Sequence, residues 1–186
     1  MKQQLKLNLS FILENLPSIT LIHKLPITKN SFVLIPNNYL YYIVLHIKFS
    51  TFWYSTQLVE LFAYETPTTV SLAQRTDATL SKVVCYNFHN LFSHYRFFLF
   101  TWINPASSTQ LKSIAEVFAN ANWLERELLE MSGINFEWKQ DMRNLLLTYG
   151  DSTVPLRKST PSIGTKETFY DLNNDTLIHT PLTTQI

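Results

Sequence analysis

Glycine is almost missing from this chain: three in 186 residues, at Gly133, Gly150 and Gly164. A phosphate-binding loop or a dinucleotide fingerprint needs several glycines within a few positions, because the backbone itself must approach the phosphates. Neither can be written here. Cysteine is scarcer still. A lone Cys85 excludes an internal disulfide framework and any zinc or iron–sulfur site built on several thiolates. Lying between Val84 and Tyr86, it reads as a buried structural thiol in a strand. Charge is also sparse: 16% of residues are charged and the net charge is +1. That leaves no basic stripe to bind nucleic-acid phosphates, although aromatics on a sheet could stack bases. Long apolar runs are lacking as well. The two richest, 39–49 and 97–103, fall well short of the roughly 18 residues of a membrane span. The stretch 1–18 has neither the apolar core of a signal peptide nor the arginines of a mitochondrial import sequence.

What is present is a large aromatic complement, 13 Phe and 9 Tyr, in a chain long enough to bury one real core. Residues 1–26 alternate Leu5, Leu7, Leu9, Phe11 and Leu13 without an identifiable partner strand, and read as an arm. Residues 31–35 form a strand ended by Pro36, which has no ladder donor. Asn37 and Asn38 can cap a helix over 39–48, with Leu40, Ile43, Val44 and Ile47 on one face. A strand over 52–64 and a polar loop over 68–79 follow. Residues 80–103 read as a hairpin turning after His89-Asn90, and the nearly continuous apolar return strand should be covered on both faces. Ser113-x-x-Glu116 offers a capping box for a short helix through Phe118. Residues 159–186 read as an extended tail. Strands first and helices after predict an α+β fold: one domain over 27–158 with a mixed or antiparallel sheet packed by a few short helices, plus the arm and the tail.

Candidate chemistry concentrates between Ser113 and Lys158. Asn122-Trp123-Leu124-Glu125 reads as a capping box opening a helix whose apolar face is Leu124, Leu128 and Met131. Gly133 supplies the left-handed residue that stops it. Glu125, Arg126, Glu127 and Glu130 are expected on the outer face, Glu130 within a turn's reach of Arg126. A carboxylate pair such as Glu127 with Asp141 could do acid–base work if burial split the two pKa values. A stand-alone hydrolase, or an RNA-binding domain, is therefore the alternative to a docking module. Among His23, His46, His89, His94 and His179 no pair has the spacing of helix-borne metal ligands. No nucleophile elbow exists either. The aromatic and arginine side chains Trp123, Trp138, Arg126, Arg143 and Arg157 are instead the types that anchor protein interfaces.

One family matches these residues in order and spacing. Asn122-Trp123-Leu124-Glu125-Arg126-Glu127, Glu130-Met131, Gly133-Ile134, Phe136-Glu137, Asp141-Met142-Arg143, Leu145-Leu146-Leu147-Thr148, Tyr149-Gly150 and Pro155-Leu156-Arg157-Lys158 carry the match. They resemble the signature of the thirty-kilodalton subunit family of respiratory complex I, whose mitochondrial form is NADH dehydrogenase subunit 9. A weaker similarity reaches back to about Ile27. Several positions depart from the family pattern. Glu130 stands for the usual Asp, Ser132 for an aromatic, Trp138-Lys139-Gln140 for Gly-His-Pro, and Val154 and Ser159 for His and Asp. The tail after Pro161 does not match.

The resemblance implies a structural subunit of NADH:ubiquinone oxidoreductase with no catalytic, metal or cofactor-binding residues of its own. Flavin, iron–sulfur clusters and quinone would then belong to partner subunits. Its implied partners are the large, forty-nine-kilodalton quinone-site subunit and neighbouring iron–sulfur subunits, with no nucleic acid and no membrane span. The implied location is the matrix side of the mitochondrial inner membrane, with mitochondrial encoding. The residues it implies for salt bridges or the interface are Trp123, Glu125, Arg126, Glu127, Glu130, Gly133, Asp141, Arg143, Tyr149, Gly150, Arg157 and Lys158. Trp138-Lys139-Gln140 would be a place for a lineage-specific partner.

Overall fold

Four apolar side chains spaced along one face decide where the first helix lies. Leu40, Ile43, Val44 and Ile47, the stripe expected from the sequence, are the buried residues of α1 (Asn37–Phe49). They pack with Val33, Ile35, Leu58, Leu61, Val84, Tyr86, Phe88, Phe97 and Leu99 from the sheet in a single core. The cap differs from expectation. Pro36 occupies the N-cap position, and no side chain bonds the first turn. Asn37 instead accepts a hydrogen bond from the Thr101 hydroxyl, which ties the helix start to the sheet.

The computed structural model describes residues 20–24, 30–51, 56–67, 80–92, 94–103, 110–150 and 152–181. Five strands make the main sheet: β1 (Thr20–Lys24), β2 (Asn30–Leu34), β3 (Thr56–Pro67), β4 (Leu80–Asn90) and β5 (Tyr95–Ile103), in the order β1-β2-β5-β4-β3. The β2–β5 pair is parallel and the other pairs are antiparallel, so the sheet is mixed. The fold is α+β, as the order of elements predicts.

Residues 20–24, read as part of an unpaired arm, form β1 against β2. Residues 1–19 of that arm and the loop at 68–79 lie outside the described residues. The expected hairpin forms, but its burial is distributed differently. In β5 Phe97, Leu99 and Thr101 are buried, Phe98 and Phe100 are half-buried and Trp102 is exposed. It is β4, the more polar strand, that is buried on both faces, with Val83, Cys85 and Asn87 on one and Val84, Tyr86 and Phe88 on the other. The register supplies the reason. Cys85 lies between Phe62 and Phe100, and Val83 between Tyr64 and Trp102. Small residues in the middle strand are shielded by large ones on its neighbours. Burial pushes the Cys85 thiol up to about 12, helped by nearby Glu60, as a structural cysteine requires.

A second layer follows the sheet. The two-residue strands β6 (Leu111–Lys112) and β7 (Phe136–Glu137) pair in parallel on either side of α2 (Ala121–Ser132). Residues 114–118 make tight turns rather than the expected short helix. The extended tail expected over 159–186 contains a hairpin, β8 (Lys166–Asp171) with β9 (Thr176–Pro181). No helix among the described residues is long and apolar enough to cross a membrane.

Candidate interaction site on helix α2 and the segment after it

The β6–β7 ladder holds Ser113 and Lys139 just beyond its two strands, and α2 runs between them. Glu125, wholly buried at 0% exposure, takes bonds from both. Its carboxylate accepts from the Ser113 hydroxyl at 2.7 Å, the Ile114 N–H at 2.8 Å and the Lys139 ammonium at 3.2 Å. Lys139, buried too, spends its other donors on the Asn122 carbonyl at 3.0 Å and the Asn122 side-chain oxygen at 2.7 Å. An ammonium has three donors, so this one is fully used. The capping-box reading of Asn122 and Glu125 is thereby corrected. The helix begins at Ala121, Asn122 binds Lys139, and the cap-position Asn120 reaches across to the Leu58 carbonyl at 2.7 Å. Ser113 donates to Glu125, and its oxygen accepts from the Ala115 N–H at 3.2 Å, one residue short of the Glu116 N–H that a capping box would bond.

Close to this pair the Tyr86 hydroxyl is buried with no hydrogen bond to a described residue. Burial, then the charge of Glu125, holds its proton on far above the ordinary range for tyrosine.

The expectation of a charged outer face on α2 fails on three of its four residues. Arg126 is 7% exposed and Glu130 8%, and only Glu127 is exposed. Both buried charges serve the backbone of the segment that follows. Arg126 donates to the carbonyls of Arg143 at 2.9 Å and Asn144 at 3.1 Å, lies 3.6 Å from Asp141, and stacks on Trp123 with 5.2 Å to the ring centre. Glu130 makes no ion pair with an arginine among the described residues. Its carboxylate accepts three successive N–H groups, from Leu145 at 3.0 Å, Leu146 at 2.9 Å and Leu147. Consecutive N–H groups in a turn form a concave anion site, and here the anion is the chain's own. Burial pushes the Glu130 carboxyl up, but those three N–H groups, aided by Arg126, pull it down further, and the net direction is down.

Asp141 is gripped in turn by Arg143, at 2.9 and 3.0 Å from its guanidinium and 3.2 Å from its N–H. Those bonds, with Arg126 nearby, hold it well below the usual carboxylate range. A fixed anion of this kind is a poor proton shuttle. Exposed Glu127 and guanidinium-bound Asp141 do not make the acid–base pair that the hydrolase reading needs.

The C-terminal end of α2 is stopped as expected. Gly133 adopts the left-handed conformation at φ 64°, and its N–H returns to Leu129 at 3.0 Å. Lys82 of β4 donates to the Ser132 carbonyl at 2.7 Å and the Gly133 carbonyl at 3.1 Å. Burial and then Arg157 lower the Lys82 pKa, against the opposite pull of Glu65. The Arg157 guanidinium lies so close to Gly133 that a Cβ there would come within 2.9 Å of it. The neighbouring backbone is pinned as well, Leu156 to the Met131 carbonyl and Lys158 to Glu65, both at 2.9 Å. Tyr149 is exposed, and Gly150 takes a positive φ of 88°.

Trp138 also has a positive φ, 66°, in the position where the resemblance expects glycine. The turn it makes sends Lys139 back to α2, and its ring lies 4.4 Å from the Lys112 ammonium and edge-on to Tyr41 at 5.6 Å. Sequence reading missed Lys139, Ser113 and Lys82. A signal existed for the first two: Ala121, Glu125, Leu128 and Ser132 also share a helical face, with polar groups at two of its four positions. No group of three or more His, Cys, Asp or Glu side chains among the described residues is placed to hold a metal.

The segment therefore stands as a unit of α2 and a loop clamped by buried charges, which exposes Trp123, Met142, Leu146, Tyr149 and Leu156. The family model for the 30 kDa subunit of respiratory-chain NADH dehydrogenase matches residues 34–166, which include all of it. The chain belongs to this family. Similar proteins include NADH-ubiquinone oxidoreductase subunit 9 of Dictyostelium discoideum, 32% identical over 97 residues, or 52% of this chain and 46% of that one. The mitochondrial NADH dehydrogenase [ubiquinone] iron-sulfur protein 3 of Candida albicans is 36% identical over 99 residues, 53% of this chain and 35% of that one. The matched stretch is thus less than half the length of those two relatives. Among solved structures, the trypsin-resistant fragment of Nqo5 superposes with a TM-score of 0.53 at 22% identity, over 72% of this chain and 98% of that one. A chain of the archaeal membrane-bound sulfane sulfur reductase superposes with a TM-score of 0.60 at 14% identity, over 77% of this chain and 76% of that one. These two likenesses bear on the fold alone.

Proposed function

We propose that this chain is a structural, non-catalytic subunit of the hydrophilic arm of mitochondrial respiratory complex I. It supports the quinone-reducing module and contributes to NADH-to-ubiquinone electron transfer as part of the assembly. In this reading flavin, iron–sulfur clusters and quinone belong to partner subunits, chiefly the large quinone-site subunit and its iron–sulfur neighbours. The chain lies on the matrix side of the inner membrane and is encoded in the mitochondrion. One observation carries the reading. In the segment that carries the family resemblance, the buried charges Glu125, Arg126, Glu130 and Lys139 are all consumed in holding the segment's own shape. The outward side chains are of the kinds that anchor interfaces.

The test is native electrophoresis of mildly solubilised membranes, stained for NADH dehydrogenase activity, with mass spectrometry of the bands. The chain is expected in the active high-mass band, and migration as a small free species would sink the proposal. Arg126→Ala releases the carbonyls of Arg143 and Asn144. It should lower the amount of assembled complex severalfold while leaving turnover per assembled complex unchanged. Normal assembly with slowed turnover would argue for a catalytic role instead.

A further inference from the structure

Helix α2 is tied to the main sheet at both ends. At its start Asn120 donates to the Leu58 carbonyl of β3, and at its close Lys82 of β4 donates to the carbonyls of Ser132 and Gly133. Between those ties one polar group of the sheet faces the helix layer. Side chains alternate along β4, and Val84, Tyr86 and Phe88 join the core on one face. Tyr86 is paired with Leu61 on β3 and Leu99 on β5, both buried and both shorter. Its hydroxyl therefore stands beyond the aliphatic layer, and the charge that acts on it is Glu125.

That hydroxyl is buried, and no described donor or acceptor meets it. A buried hydroxyl left unpaired is costly, and native interiors seldom keep one. Glu125 has the complementary shortfall. Its Oε2 accepts from Ser113 and Lys139, whereas its Oε1 accepts from the Ile114 N–H alone. A carboxylate oxygen has about two acceptor positions, so one on Oε1 is unused. The two groups make no direct bond, and neither can shift to make one. Tyr86 sits in a strand paired on both sides, and the carboxylate is held by three donors.

We propose that a single buried water molecule bridges the Tyr86 hydroxyl to Oε1 of Glu125 and fixes the first turns of α2 against β4. Water suits the place because it both donates and accepts, and about two to four polar partners are what a buried water needs. A cation would be repelled by the Lys139 ammonium, 3.2 Å from the same carboxylate. The hydroxyl donates to the water, and the water donates to the carboxylate. Glu125, ionised and an acceptor only, fixes that polarity, and burial keeps the proton on Tyr86.

High-resolution diffraction from crystals of the full chain is the first test and needs no variant. An ordered oxygen is expected within about 2.7–3.0 Å of both Tyr86 Oη and Glu125 Oε1. Two well-defined side chains with no oxygen between them, or a hydroxyl bonded directly to the carboxylate, would overturn the bridge. Urea unfolding of Tyr86→Phe, which keeps the ring, is the second test. Its folding equilibrium constant should fall roughly fivefold, the loss of one net hydrogen bond. In a Glu125→Leu/Lys139→Met chain, where apolar groups of similar size replace the buried pair, the same substitution should change that constant by about twofold or less. A Phe variant of the native chain that is equally or more stable would overturn the proposal. So would an equal loss in both chains, because the hydroxyl would then act without the carboxylate.

Discussion

The two helices bury similar lengths of chain by opposite means. In α1 every buried residue is aliphatic, Leu40, Ile43, Val44 and Ile47, and the charged residues lie outside. In α2 the buried set is Ala121, Glu125, Arg126, Leu128, Glu130 and Ser132. What α1 meets is a sheet whose backbone is already hydrogen-bonded, so apolar side chains suffice. α2 also packs on β3, but its buried charges face irregular chain: the turns after Ser113 and the loop from Asp141 to Leu147. Irregular backbone presents N–H and C=O groups with no ladder partner, and burying them unpaired is costly. The charges of α2 turn inward to satisfy them.

The largest expected effect comes from leaving one of those charges alone. Glu125→Ala strands the Lys139 ammonium in a dry site and should cost about 3–5 kcal/mol of stability, the usual scale for a one-sided break of a buried pair. Urea unfolding of the full chain measures it. Adding Lys139→Met should restore more than half of that loss, because the stranded charge, rather than the missing attraction, dominates the cost. In α1, Leu40→Ala should cost about 2–5 kcal/mol through a cavity, and no second polar substitution should rescue it. If both helices responded to rescue alike, the contrast between them would collapse.

Glu130→Gln probes the same contrast at lower cost. The amide keeps one acceptor for the N–H groups of Leu145, Leu146 and Leu147 but loses the charge, for a loss of about 1.5–3 kcal/mol. Hydrogen exchange at those three amides should quicken. The sign with pH follows from the depressed carboxyl. A group whose folded pKa lies below its unfolded value stabilises above the unfolded value and loses that contribution as pH falls through the folded one. Stability of the native chain should therefore fall on acidification below about pH 4.3, the ordinary value for Glu. The Gln variant should lose less over the same range.

These contrasts explain what was legible in the sequence. α1 and its stripe could be read because apolar periodicity is the signal of a helix on a sheet. The β4–β5 hairpin and the Gly133 stop were legible for similar local reasons. The interior of α2 was not, because the same periodicity rule assigns charges to solvent. It selected Leu124, Leu128 and Met131, whereas burial runs through Glu125 and Ser132. The partners of Glu125 and Glu130 lie 11 to 17 residues away in irregular chain, where no period exists to read. Cap signals misled for a related reason. Asn37 and Asn122 are good caps in isolation, and the side-chain oxygen of each is claimed by a longer-range donor. The family resemblance located the segment correctly, but only the geometry says which way its charges face.

The smallest effect is expected at Trp138, where the loop is strained rather than charged. A non-glycine residue in the left-handed region costs about 1–2 kcal/mol. Here the ring gives some of that back through Lys112, about 0.5–1 kcal/mol at an exposed site, and through its edge contact with Tyr41. Trp138→Gly removes the strain and the ring contacts together while making the unfolded chain more flexible, so stability should change by less than about 1 kcal/mol. Trp138→Ala removes the contacts and keeps the strain. It should therefore be the worse variant of the two, by about 1 kcal/mol in urea unfolding, reversing the usual order of Ala over Gly. If Ala matched or exceeded Gly, the turn that returns Lys139 to Glu125 would not be strained, and the buried pair would hold its loop at no conformational cost.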